Sequence, residues 1–92
     1  RSNARMGMAI IIEEEGDVST ADSLLQEELK ISQDSNYVYF YIGQILLERG
    51  DTTASVKNLQ LGYPVTHYSR YARLYYDTLD INVKNKLDLT TD

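Results

Sequence analysis

Apolar residues recur every three or four positions along most of the chain, the spacing that places them on one face of an α-helix. The segment that ends at Gly16 fits a first helix closed by a glycine. Ala21, Leu25 and Leu29 lie four residues apart and fit the apolar stripe of a second helix. The pattern therefore predicts an all-α protein built from antiparallel helix-turn-helix pairs.

The segment Tyr37–Asp51, YVYFYIGQILLERGD, begins with aromatic residues that favour β-strands. Tyr39, Ile42 and Leu46, however, are spaced at three and seven residues and share one helical face. The continuation QILLER does not alternate between apolar and polar residues as a strand would. The sequence therefore predicts a helix here that ends at Gly50.

The remaining third of the chain carries two stop signals and one further amphipathic pattern. Gly62 and Pro64 are predicted to end the fourth helix. A closing helix is predicted to start near Thr66 and to fade beyond Asn82. The polar residues 83–92 are predicted to form a C-terminal tail.

Residues 8–25 match residues 42–59 when the sequence is shifted by 34 positions. The Gly-Asp pair at 16–17 falls on the Gly-Asp pair at 50–51, and small, apolar and acidic positions agree on both sides. The matching pairs are Met8 and Ile42, Ala9 and Gly43, Ile11 and Ile45, Ile12 and Leu46, Glu14 and Glu48, Ala21 and Ser55, and Leu25 and Leu59.

A helix-turn-helix period of this length resembles the tetratricopeptide repeat (TPR) family. The family places an aromatic residue, a Leu-Gly pair and a tyrosine on the first helix, and an alanine and a phenylalanine four residues apart on the second. In the second unit these positions are Tyr39, Ile42, Gly43, Leu46, Ser55 and Leu59, and in the first unit Arg5, Met8, Ala9, Ile12, Ala21 and Leu25.

The resemblance implies a helical-repeat domain over residues 1–82, a fragment of an α-solenoid. Its two units would span about 2–35 and 36–65, followed by the closing helix at 66–82. Tyr68, Tyr71, Ala72 and Tyr75 repeat the first-helix pattern only 29 residues later, which shortens the last unit. Small residues would let paired helices approach closely, while Leu25 and Leu59 would fill the space between units.

In the TPR family the first helices line a concave groove that holds an extended peptide or a partner helix. Tyrosine suits such a surface because it offers a large contact area and a polar tip. The alternative is that the aromatic rings only pack between helices or against the closing helix. The positions that would face the groove are Tyr37, Phe40, Tyr41, Gln44 and Glu48 in the second unit, and Met6, Ile10, Glu13 and Glu14 in the first.

Composition and charge argue against several other functions. The chain has no cysteine and a net charge of −5, and residues 1–35 hold three basic and eight acidic side chains. Such a chain does not match the basic surface that nucleic acids or anionic membranes attract, and it has no apolar run long enough to span a bilayer. The sequence predicts no nucleic-acid partner and no membrane contact by this segment.

Catalytic, cofactor and metal sites are not predicted either. His67 is the only histidine, and it is expected in the first turn of the closing helix as an ordinary surface residue. Glu13, Glu14 and Glu15 point about 100° apart around a helix, so they do not converge on one metal ion or one reacting group. The glycine-rich spacing of nucleotide sites is absent.

The sequence therefore predicts a non-enzymatic interaction module that binds a protein or peptide in its groove. Self-association through this surface or through an open end of the array is the alternative, because helical arrays usually need about three units for stability. A further hypothesis is a scaffold or sensory segment of a larger bacterial regulator or lipoprotein.

Overall fold

The computed structural model describes residues 2–31 and 35–90, and the side chains of residues 7–31, 36–64 and 66–90. All regular secondary structure in these ranges is helical, so the all-α prediction is confirmed. The predicted turn at 32–36 lies mostly outside the described residues, and its last two residues begin the third helix. The helices are α1 (Ser2–Glu14), α2 (Val18–Ile31), α3 (Ser35–Glu48), α4 (Thr52–Thr66), α5 (Arg70–Asp77) and α6 (Ile81–Lys84).

The turn between α1 and α2 has the same hydrogen bonds as the turn between α3 and α4. Gly16 and Gly50 have φ angles of 95° and 84°, the left-handed conformation that glycine adopts without strain. The amides of Asp17 and Asp51 donate to carbonyls five residues back, at 3.1 and 2.9 Å, which defines a Schellman helix end. Each aspartate side chain then accepts from the amide three residues ahead and caps the next helix.

Helices α3 and α4 approach closely at a small-residue contact. The Ser55 hydroxyl donates to the Gly43 carbonyl at 2.6 Å, and both residues are buried. A Cβ added at Gly43 would lie 2.6 Å from Cγ of Leu59, so only glycine fits this crossing. The predicted role of Gly43 and Ser55 in close helix approach is confirmed.

Two groups of buried side chains form the core. The first core cluster joins α1, α2 and α3, and the second joins α3, α4, α5 and the C-terminal segment. Leu25 belongs to the first and Leu59 to the second, so each packs against the helix that follows its own pair. The first core cluster contains Ala9, Leu25, Val38 and Ile45; the second contains Phe40, Leu59, Ala72, Tyr76 and Leu87.

Helix α4 does not end at Gly62 and Pro64, contrary to the prediction, but continues to Thr66. Gly62 is a contact residue, since a Cβ there would lie 2.8 Å from the Asn36 carbonyl oxygen and 2.9 Å from the Phe40 nitrogen. Packing against α3 therefore holds the last turn of α4 in place despite the missing proline N–H. The Thr66 hydroxyl also donates back to the Gly62 carbonyl at 2.8 Å.

The closing helix accordingly starts later than predicted. Helix α5 spans Arg70–Asp77, and the Ser69 side chain caps it by accepting from the Ala72 amide at 3.4 Å. His67 is the C-cap of α4 rather than a first-turn residue of the next helix. Its ring stacks on Tyr63, with ring centroids 4.9 Å apart.

The C-terminal segment is packed, which corrects the prediction of a polar tail at 83–92. Val83 and Leu87 are each only 8% exposed, and Leu87 joins the second core cluster. The Gln60 side chain holds this segment by donating to the Asp88 carbonyl at 2.6 Å and accepting from the Asp88 amide at 2.5 Å. The packed domain therefore extends beyond the predicted boundary at residue 82.

Tyr76 makes the fold sensitive to alkaline pH. Its side chain is buried, and its hydroxyl donates to the Leu59 carbonyl at 2.8 Å. Burial raises the pKa of Tyr76 from 10.0 to about 12. A raised pKa means that the unfolded chain loses the proton first, so this stabilising contribution is complete below pH 10 and is lost as the pH rises to about 12.

We therefore expect the melting temperature to fall as the pH rises from 10 to 12, and the fall to be smaller in Tyr76→Phe. The phenylalanine variant cannot ionise, while at neutral pH it loses one hydrogen bond worth about 1 kcal/mol. Thermal melts followed by circular dichroism at a series of pH values measure both effects. An identical pH dependence in the two proteins would contradict this role of Tyr76.

Candidate partner-binding cleft

Five of the nine predicted groove residues meet at one open cleft between α1, α3 and α5. Ile45 and Tyr75 complete its lining. The cavity volume is about 70 Å³, far below the ~300–1,000 Å³ of typical small-molecule sites. The cleft therefore accommodates one side chain of a partner rather than a whole metabolite. The predicted residues that line it are Ile10, Glu13, Glu14, Gln44 and Glu48.

The other predicted aromatic positions lie outside this lining. Phe40 is fully buried in the second core cluster, so its assignment to the groove was wrong. Its ring lies 5.5 Å from the ring of Tyr76, because α5 covers this side of α3. Tyr41 is half-buried against both core clusters, and Tyr37 is half-buried as well. The Met6 side chain lies outside the described residues.

The cleft has apolar walls and an acidic rim. Ile10 on α1 and Ile45 on α3 are partly and fully buried members of the first core cluster. Glu14 and Glu48 are exposed and end α1 and α3. The glutamate pair follows from the sequence match, since Glu14 and Glu48 are 34 residues apart and stand two residues before the glycine of each turn.

The side-chain amide of Gln44 forms a hydrogen bond through only one of its two polar atoms. Its Oε1 accepts a hydrogen bond from the Tyr71 hydroxyl at 3.3 Å. Its Nε2 is buried and has no hydrogen-bond partner among the described residues. Because a buried donor without a partner costs about 1–3 kcal/mol, an acceptor from a bound ligand would be favourable at this atom.

Glu13 is already engaged by a cation. The Arg49 guanidinium donates to it through Nε at 2.8 Å and through Nη2, and Nη2 also reaches Asp22 Oδ1 at 3.1 Å. The hydrogen bond from Arg49 lowers the pKa of Glu13, and the same bond raises the pKa of Arg49. Arg49 thus links α1 and α2 to the turn after α3. It pairs with Glu13 but not with Glu14 or Glu48, which remain as the acidic residues of the rim.

Tyr75, like Ile45, lines the cleft although the sequence pattern did not place it in the groove. Burial, reinforced by the nearby Tyr71 and Glu48, raises the pKa of Tyr75 to about 12. Burial also raises the pKa of Tyr41. Both phenols therefore stay neutral and able to donate a hydrogen bond at physiological pH. The sequence feature that could have indicated Tyr75 is its four-residue spacing from Tyr71 on the closing helix.

Comparison with protein-family models, with curated proteins and with solved structures finds no match for this chain. Within the described ranges, no three His, Cys, Asp or Glu side chains lie together in a way that could hold a metal ion. Over the same residues, none of the helices has the length and apolar character needed to cross a membrane.

Proposed function

We propose that this chain is a non-enzymatic protein-interaction module whose cleft binds a basic side chain of a peptide or partner helix. The Gln44 amide carries the proposal, because its buried Nε2 would gain a hydrogen bond if the side chain turned towards an acceptor in the cleft that Gln44 lines. Glu14 and Glu48 at the rim of the cleft would favour a positively charged side chain of the partner.

Three contacts would hold such a segment. Gln44 would donate to a backbone carbonyl of the partner, the hydrogen bond that its amide lacks. Glu14 and Glu48 would accept from a lysine or arginine, whose methylene groups would lie on Ile10 and Ile45. The cleft takes one side chain, so the rest of the partner would lie along the surface of α1 and α3.

A TPR-like solenoid is our proposal for the architecture behind this cleft. Its support is local: the two turns share their hydrogen bonds, Gly43 and Ser55 make the close approach, and Leu25 and Leu59 each pack on the following helix. In such an arrangement α1 and α3 lie side by side, which brings Glu14 and Glu48 to one rim.

The proposal is tested by selecting binders from a library of short random peptides and measuring their affinities by fluorescence anisotropy. We expect enrichment of lysine and arginine. Gln44→Ala and Glu48→Gln should each weaken the selected peptides about tenfold, since a hydrogen bond to a charged or buried group contributes roughly 1.5 kcal/mol.

Glu27→Gln is the matched control, because Glu27 is an exposed acid on α2 outside the cleft and the change in charge is the same. Its affinity should stay near that of the unmodified protein. Peptides without a basic preference, or equal effects of Glu48→Gln and Glu27→Gln, would count against the cleft.

A further inference from the structure

One face of α1 is apolar but uncovered. Met8 and Ile11 are 53% and 56% exposed, although they lie one turn apart on the same helix. Their counterparts after the 34-residue shift are Ile42, which is half-buried, and Ile45, which is 3% exposed. The same type of residue is thus covered in the second helix pair and open in the first.

The apolar face of α3 is covered by the preceding helix pair, α1 and α2. Ile42 and Ile45 pack in the first core cluster with Leu25 of α2. Gly7, the counterpart of Tyr41, has no atom near the position of a Cβ, so the surface of α1 is open there too. The exposed face of α1 therefore carries apolar residues typical of a helix–helix contact, and no helix of the described residues covers it.

A second apolar face, with basic residues beside it, lies on α5. Tyr71 and Leu74 are 57% and 63% exposed and stand one turn apart. Arg70 and Arg73 are exposed next to them, and both line a shallow surface depression with Leu74 and Asp77. The buried side of α5, with Ala72 and Tyr76, belongs to the second core cluster, to which the described side chains of α1 contribute no buried residue.

The two faces are complementary in charge. Helix α1 runs into the three consecutive glutamates 13–15, and Glu14 and Glu15 are exposed. Residues 1–35 carry three basic and eight acidic side chains, whereas α5 exposes two arginines. A basic apolar helix is the partner that an acidic apolar helix favours, because the charges then attract at the rim of the contact.

We propose that this protein associates with a second copy of itself head to tail, with the α5 face of one copy packed on the α1 face of the next. Met8 and Ile11 would contact Leu74 and Tyr71, while the exposed glutamates would face Arg70 and Arg73. Two different faces make this a heterologous contact, so each copy keeps one free face and further copies can add.

The contact is small, with two large apolar side chains on each face. Small interfaces of this kind give weak, transient association. The mass in solution should therefore rise with concentration, and the rise should be smaller in high salt because exposed charges are screened. The cleft and the two faces adjoin, since Glu14 belongs to both the rim and the α1 face and Tyr71 donates to Gln44. Met8, Ile11 and Leu74 lie outside the cleft lining, and Gln44 and Glu48 lie outside the two faces, so variants at these positions test self-association and peptide binding separately.

Complementation between two variants tests the proposal. Met8→Lys with Ile11→Lys places positive charge on the α1 face, and Leu74→Glu places negative charge on the α5 face. Sedimentation equilibrium should show concentration-dependent association of the unmodified protein and a loss of it in either variant alone. An equal mixture of the two variants should form a dimer, because one intact face of each kind remains.

Ile31→Lys is the matched control, since Ile31 is 62% exposed at the end of α2 and belongs to neither face. It should associate like the unmodified protein, and circular dichroism should show equal helix content in all variants. A monomeric unmodified protein at every concentration, association that persists in either variant, or a mixture that stays monomeric would each overturn the head-to-tail contact.

Discussion

Replacing Phe40 by alanine should remove a large share of the protein's stability and lower its melting temperature strongly. The ring is fully buried and meets the rings of Tyr75 and Tyr76, each at a centroid distance of 5.5 Å. Removing a buried phenylalanine costs about 3–5 kcal/mol. A domain of this length has a total stability of roughly 5–14 kcal/mol, so the loss is a large share of it.

Thermal denaturation measures this effect, because each kcal/mol lowers the melting temperature by about 4–8 °C in a domain of this size. Tyr68→Ala is the control: Tyr68 is 78% exposed, and its loss should change the melting temperature by only a few degrees. If Phe40→Ala melted close to the unmodified protein, the ring would belong to an open surface, as the sequence alone predicts.

The second large effect is expected at Gly62. A Cβ there would lie within 3.1 Å of three backbone atoms of α3, and backbone cannot move aside as a side chain can. Gly62→Ala should therefore push α4 away from α3 and destabilise the protein by about 1–3 kcal/mol, despite the higher helix propensity of alanine. The hydrogen bond from Asn36 to the Leu61 carbonyl, at 2.8 Å, lies at the same contact and should weaken with it.

Gly7→Ala is the matched control, because it adds the same methyl group at a position where no atom lies close to it. No atom lies within 4 Å of a Cβ at Gly7, so only helix propensity acts and the protein should gain about 0.5–1 kcal/mol. Urea denaturation of the two variants gives the comparison. Effects of the same sign would contradict the close approach of α3 and α4 at Gly62.

Local signals predicted the parts of the fold that local chemistry decides. The two Gly-Asp pairs mark helix ends because glycine supplies the positive φ and aspartate caps the next helix. The close helix approach at Gly43 and Ser55 was expected from the resemblance to the TPR pattern. Five of the positions that the TPR resemblance assigns to the groove line one cleft, because α1 and α3 both contribute to it.

Features that depend on the position of α5 and the C-terminal segment were missed. Phe40 was assigned to the groove because nothing local indicates which side of α3 the closing helix covers. Gly62 and Pro64 are strong local stop signals, but contact with α3 overrides them. Val83 and Leu87 lie four residues apart in a polar stretch, a weak apolar signal whose partner, the second core cluster, is distant in sequence.

The ion pairs of Arg49 were also missed. Arg49 stands next to a turn glycine, where a cation suits the negative end of a helix. Its partners Glu13 and Asp22 lie 36 and 27 residues away, so only the packing of the two helix pairs brings them together. This pairing changes the predicted site, since it occupies Glu13 and leaves Glu14 and Glu48 at the rim.

The most direct test of the proposed cleft is nuclear magnetic resonance titration of the isotope-labelled protein with the tightest basic peptide from the selection. The side-chain amide signals of Gln44 should shift and saturate with the peptide, together with the backbone signals of Ile10, Glu14 and Glu48. Saturating shifts that cluster elsewhere, with the Gln44 side chain unchanged, would contradict the assignment of this cleft as the binding site.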